Sequence, residues 1–414
     1  MTVLSNTVGQ VVPVYTTDGS LIWGAEERPD PVPPVGPDRN IATLCSVAAA
    51  PVSIGGAVGR MAAHRQTLIV DAIRPRLAWV IRGGFGGTTP TPYTMRAAIA
   101  PRDGAPIPLT FGGEHEVSIP GTPAITITSD PAPISALAGD VVDVYVWASG
   151  DHQVDQTGFL PGRDIGVSDG TYSQALTSLA PIGEARGTIR PARIIAPSDR
   201  PAWVLAGDSI AQQGNSFLDR AAAVRGLAAV KSAMGGEGYQ HYPGRWANMY
   251  GPHTGFADHM IDQYGANSPN PAQALEFWKH AKDSGISYLV KTTVTPRVRP
   301  DGTPPANDLA FNEWLRDGAP ISPDHTAIAE VGDAEAVRAS VIRPDGPIAE
   351  GSGGHPADVI SDSAAAVEDS SRPGHFTPEA VEAQGSSSDW LHFNSNVHAL
   401  VAARLTRDLE ILGH

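Results

Sequence analysis

The chain has 414 residues, with 29 Lys+Arg against 44 Asp+Glu and a formal net charge of −15. That length suits two to three domains, and 41% apolar against 18% charged residues supports packed cores rather than disorder. The acidic balance disfavours a phosphate backbone or anionic membrane as partner, and the single cysteine, Cys45, excludes an internal disulfide and any cysteine-rich metal module.

Gly and Pro make up 81 residues, about one in five, against roughly 12% on average. They follow no period, so they read as turns in a loop-rich, partly β protein. No apolar run approaches the ~18 residues of a membrane span, and Met1–Gln10 lacks the basic and apolar regions of a signal peptide.

Residues 1–64 are expected to form an extended arm or linker. Their short apolar runs are broken by turn residues and by Arg28-Pro-Asp-Pro-Val-Pro-Pro-Val-Gly-Pro37, where proline fixes φ and removes donors. Residues 65–195 are expected to form an all-β accessory domain, a jelly-roll-like sandwich. Four β-branched or aromatic runs lie there: Thr67–Ile73, Leu77–Arg82, Ala124–Ser129 and Val141–Trp147. Gly, Pro and Asp clusters bound each of them.

From residue 196 the texture changes. Short apolar runs at Ala202–Ala206, from Gly226, at His259–Tyr264 and from Ile286 predict strands. Pro271–Asp283 and Asn396–Leu412 predict helices. Strands alternating with helices imply an α/β domain over 196–414 with a doubly wound parallel sheet.

Four short blocks carry chemistry. Gly207-Asp-Ser209-Ile210 follows the first strand, where an open α/β sheet presents side chains at its carboxyl edge. Met234-Gly-Gly-Glu-Gly238 follows the second, and glycine there lets a backbone N–H approach a ligand. Gly265-Ala-Asn-Ser268 follows the third and offers the Asn267 amide. Asp389-Trp-Leu-His392 precedes the last helix, and its spacing lets the carboxylate orient one ring nitrogen while the other takes a proton. Each block alone reads as a turn or a helix cap; the order of the four is the specific signal.

In that order the sequence resembles the SGNH, or GDSL-type, hydrolases over about residues 200–412. The resemblance implies a flavodoxin-like α/β/α fold, with Ser209 as nucleophile, His392 as general base and Asp389 as its orienter. It implies an oxyanion hole of the Ser209 N–H, the Gly236 N–H (Gly235 being nearly equivalent) and the Asn267 amide. The sequence departs from the family where Ser268 replaces an aspartate, Ile210 a leucine and Phe393 a proline. The β region resembles, more loosely, the amino-terminal sandwich of some such hydrolases. It does so through Leu109-Thr-Phe-Gly-Gly113, Val117-Ser-Ile-Pro-Gly121, Ser129-Asp-Pro131 and Ala138-Gly-Asp140.

The function expected is a serine esterase acting on short acyl esters, including O-acetyl groups on a polysaccharide, without cofactor or metal. A thioesterase or acyltransferase uses the same triad. The alternative of another class is a non-catalytic glycan-binding or virion or cell-surface protein on this fold. The setting expected is external or particle-associated. Asp208, Tyr239, Trp246 and Trp390 are the expected substrate-binding residues, the rings offering stacking surfaces. Arg297 reads as structural. Between residues 301 and 388 stand 16 Asp+Glu and four Arg, a net −12, expected in part beside the site.

Overall fold

The computed structural model describes residues 35–43, 45–48, 51–53, 59–81, 92–102, 104–120, 125–149, 153–155, 164–177, 179, 193–298, 300–344, 346–385 and 389–414. The proline-rich stretch from Arg28 to Pro34 and the first ten residues lie outside them.

The α/β domain is built, among the described residues, on an eight-stranded sheet in the order Cys45–Ala48, Ala228–Ala233, Ala202–Gly207, His259–Asp262, Tyr288–Thr292, Val359–Ser361, Ser340–Ile342 and Ile348–Ala349. All neighbours pair parallel except the last, antiparallel edge strand. The five strands beginning at 202, 228, 259, 288 and 359 stand in the order 2-1-3-4-5, the flavodoxin-like arrangement. Its chain direction reverses between the first and third strands. Every residue of Ala202–Gly207 is buried, as expected of a central parallel strand covered on both faces.

Helices cover both faces. Phe217–Arg225 and Ser395–Ile411 pack together on one side. Pro271–Asp283 and Ala306–Arg316 lie on the other, joined by Trp278 and Trp314 stacked at 5.6 Å. Pro271–Asp283 matches its sequence boundaries; the last helix runs one residue earlier at each end than expected.

Among the described residues the β region packs a four-stranded and a six-stranded antiparallel sheet, with two further two-stranded pairs, around a core that includes Trp79, Ile99, Val144 and Ile194. One sheet holds Asp38–Asn40, Arg193–Pro197, Arg76–Ile81 and Ile125–Thr128; the other centres on Gly59–Thr67, Val141–Ser149 and Tyr93–Pro101. The run expected as a strand at Thr67–Ile73 instead straddles a strand end. Gly59–Thr67 pairs over its whole length with Val141–Ser149, and Ala72–Ile73 pairs separately with Ser135–Ala136. The long strand was masked by its sequence, since Met61-Ala-Ala-His-Arg-Gln66 has no β-branched residue and its strand character comes from cross-strand partners.

That strand crosses the boundary expected at residue 65, and the preceding residues are woven into both bodies. Asp38–Asn40 pairs with Arg193–Pro197 in the sandwich, while Cys45–Ala48 adds to the edge of the parallel sheet beside Ala228–Ala233.

The acidic stretch divides between the two ends of the parallel sheet. Helices that join parallel strands run back against them, so Pro271–Asp283 and Ala306–Arg316 end at the amino-terminal edge. There Lys279 donates to the His325 carbonyl, Lys282 to Asp358, and the Ala319 N–H to Trp314. Asp317, Asp324, Glu330, Asp333, Glu335 and Asp358 therefore lie on loops opposite Ser209. Of the acids on the other side, Asp308 pairs with Arg297, and Asp362 and Glu368 with Arg316. The acids are thus split between the two edges of the sheet rather than gathered at one.

Candidate active site

The first strand ends at Gly207, where an added Cβ would meet Ala211 Cβ and Gln263 Oε1, each at 2.5 Å. Only glycine lets the chain turn here into the short helix Ser209–Gln212. Asp208 caps that helix, its Oδ1 accepting from the Ile210 N–H at 2.9 Å. Gln263, on the neighbouring strand's continuation, accepts from the Asp208 N–H at 3.1 Å. Ser209 thus occupies the first helical position, whose N–H has no intrahelical partner, at the point where the strand order reverses.

His392 arrives from the far end of the chain. Its Nε2 stands 2.9 Å from Ser209 Oγ, and its Nδ1 stands 2.6 Å from Asp389 Oδ2. With Nδ1–H donating to the carboxylate, Nε2 is left to accept the serine hydroxyl proton. Asp389 Oδ1 also accepts the N–H groups of Leu391 and His392, at 2.9 and 3.1 Å. The His392 hydrogen bond foremost, with these N–H groups, holds the Asp389 carboxyl below its ordinary range. The side chains of His392 and Asp389 are 40% and 52% exposed, so the pair opens to solvent.

The loop has an anchor that spacing could not reveal. Gln384, buried at the end of the helix Pro378–Gln384, donates to the carbonyls of Asp389 (2.9 Å) and His392 (3.3 Å). Its oxygen accepts from the Asn394 N–H at 3.0 Å. It lies outside every motif.

The second and third blocks meet at one hydrogen bond, Asn267 Nδ2 to the Glu237 carbonyl at 2.8 Å. An amide has two donor hydrogens, and this contact uses one. The Gly235 N–H donates to the Gln212 side chain. Gly236 adopts φ +75°, and a Cβ added there would meet nothing within 4 Å. Ser268, where an aspartate is usual, has its hydroxyl 3.0 Å from Gln273 Oε1. Arg297 is structural: it pairs with Asp308 through two contacts of 2.5 and 2.7 Å and also donates to the Ala266 carbonyl.

The expected substrate-binding residues separate. Tyr239 is fully buried and donates to Asp262 at 2.6 Å. Trp246 is buried and stacks on His280 at 4.3 Å. Both belong to the core and not to a pocket wall. Asp208 is also fully buried, and its Oδ2 has no hydrogen-bond partner. Burial pushes its carboxyl up to about 6, against the opposing pull of the Ile210 N–H, Gln263 and the charges of Lys291 and His392. Trp390 is half-buried, 5.5 Å from Phe376, within the Asp389–His392 loop.

This α/β fold, with the four blocks in this order along its sheet, is the arrangement that the sequence resemblance to the SGNH, or GDSL-type, hydrolases leads one to expect. No protein-family profile matches the chain and no curated protein matches it. Solved structures do. A carbohydrate esterase family 2 enzyme plus carbohydrate binding domain from Corynascus thermopiles (Myceliophthora fergusii) is 12% identical, over 91% of this chain and 100% of that one, with a TM-score of 0.36. An acetyl-xylooligosaccharide esterase from Geobacillus Stearmophilus is 9% identical over 50% and 94%, with a TM-score of 0.33. A lipase/acylhydrolase from Enterococcus faecalis is 18% identical over 51% and 96%, with a TM-score of 0.32. At such scores the fold assignment stands on the strand order and connections described above.

Proposed function

We propose that the chain is a carboxylic ester hydrolase working through an acyl-enzyme on Ser209. The observation that carries the reading is the continuous hydrogen-bond chain Ser209–His392–Asp389 at the carboxyl edge of the sheet. Ser209 Oγ attacks the ester carbonyl carbon while His392 Nε2 takes its proton. The oxyanion then formed is met by the N–H of Ser209, the N–H of Gly236 and the free amide hydrogen of Asn267. Gly236 is preferred to Gly235 because the latter's N–H is already engaged by Gln212. His392 returns the proton to the leaving alcohol, and a water repeats the sequence to release the acid.

The substrate class proposed is a short acyl ester, with an O-acetyl group on a polysaccharide as the form to examine first. The open position of His392 and Asp389 supports an acyl group carried on a bulky alcohol. A chain-length series of p-nitrophenyl esters, together with acetate release from acetylated xylan and acetylated bacterial glycans, tests it. Turnover falling beyond four carbons supports the reading, and preference for long chains opposes it.

A further inference from the structure

Only four lysines occur in the chain against 25 arginines, and two of them, Lys231 and Lys291, are fully buried on strands of the parallel sheet. Lys231 is matched by Asp219 at 2.7 Å, on the face covered by the helix Phe217–Arg225. Lys291 has a different setting. Its ammonium donates to the main-chain carbonyls of Asp262, at 3.4 Å, and Tyr264. It also lies 5.9 Å from the ring centre of Tyr239. A buried ammonium held by carbonyls, without a carboxylate in direct contact, is costly, so the surrounding groups show what it serves.

Each neighbour leads to one of the three oxyanion donors. Asp262 accepts from Tyr239 (2.6 Å) and Trp278 (2.7 Å) through Oδ2, and from the Tyr264 N–H (2.9 Å) through Oδ1. Tyr239 directly follows the second block, so this carboxylate fixes the turn that carries Gly236. The carbonyls of Asp262, Tyr264 and Ala266 belong to alternate residues of the segment entering Asn267. Lys291 takes the first two, and Arg297 takes the third. Asp208, beside Ser209, feels the Lys291 charge as well.

We propose that Lys291 is a positioning residue for the oxyanion hole, the shared counter-charge of a buried polar cluster that holds the Ser209, Gly236 and Asn267 donors in one geometry, with Arg297 completing the grip on the Asn267 segment. The inference rests on the esterase reading and adds a residue outside all four blocks. Lys291 touches no substrate; it acts through the carbonyls and the carboxylate.

The test uses Lys291→Met and Lys291→Arg in the full chain, read by kcat and KM on p-nitrophenyl acetate, each also combined with Asn267→Ala. The expected result for Lys291→Met is a fall in kcat of about 10–100-fold with KM changed less than threefold. The loss should be non-additive with Asn267→Ala, since the variant acts partly through that residue. Should Lys291→Met not fold by circular dichroism, Arg297→Gln replaces it. That variant releases the Ala266 carbonyl together with the Asp308 ion pair, leaves the Lys291 contacts in place, and should show the same kcat-only, non-additive loss at smaller size. Unchanged kcat, a loss confined to KM, or losses that simply multiply with Asn267→Ala overturn the proposal. A wild-type protein that neither hydrolyses esters nor reacts with a fluorophosphonate overturns the esterase reading instead, so the two failures are distinct.

Discussion

His392 Nε2 sits 2.9 Å from Ser209 Oγ although the two residues are 183 positions apart. The contact closes because the first strand ends at the reversal point of the sheet and the last helix starts beside it. A solvent-open Asp389 on the other ring nitrogen then sets the tautomer.

Replacing Asp389 by Ala should therefore lower kcat by about 10²–10⁴-fold with little change in KM. The lower end of that range is expected, because an exposed carboxylate is partly replaced by water. Steady-state kinetics on a short p-nitrophenyl ester checks this; a loss below threefold would show that the carboxylate does not orient the ring.

Gln384 binds the carbonyls on both sides of the Asp389–His392 turn and the Asn394 N–H after it. Gln384→Ala leaves those half-buried main-chain groups to water, a cost of about 1 kcal/mol in stability. It should lower kcat about tenfold while the folded protein keeps its KM. Urea denaturation and kinetics on the same preparations separate the two effects. Full activity in a destabilised protein would place Gln384 in the fold alone.

Legibility in the sequence followed the length scale of each feature. The helix Pro271–Asp283, the central apolar strand and the four blocks could be read because each is local: a cap, a period, a turn residue. Gln263, Gln212 and Lys291 could not, because each acts on a main-chain group distant in sequence, and Gln384 could not because a lone polar residue carries no spacing. The rings of Tyr239 and Trp246 misled for the related reason that an aromatic after a strand looks the same whether it faces a pocket or the core. The strand Gly59–Thr67 was hidden by alanines and charges whose β structure is imposed by Val141–Ser149.

Two buried groups should give opposite pH dependences of stability. The Asp208 carboxyl, pushed up to about 6 by burial, keeps the folded protein more protonated than the unfolded chain between about pH 4 and 6. Its contribution is therefore lost as pH rises through that window. His398 accepts from the Phe217 N–H at 3.2 Å and packs on Phe393, and burial lowers it to about 3. Its contribution is present above the unfolded value of about 6.5 and is lost as pH falls. Each effect is of order 2–3 kcal/mol across two pH units. Urea titrations at pH 4, 5, 6 and 7 should find Asp208→Asn more acid-sensitive than wild type and His398→Gln less so. Parallel curves for all three proteins would contradict both assignments.

The acids of the loop at 324–335 lie at the amino-terminal edge of the sheet, across it from the site, and physiological salt screens exposed charges over roughly 8 Å. Replacing Asp324, Glu330, Asp333 and Glu335 by their amides should leave kcat/KM for neutral and anionic esters unchanged within about twofold at 0.15 M salt. A selective gain for the anionic ester would return the acidity to substrate choice.

The central claim, that Ser209 is the attacking nucleophile, is tested most directly by fluorophosphonate labelling read by intact mass and peptide mapping. The wild-type protein should gain one adduct, on the peptide that holds Ser209, and folded Ser209→Ala should gain none. An unlabelled wild type, or an adduct that persists in Ser209→Ala, would contradict it.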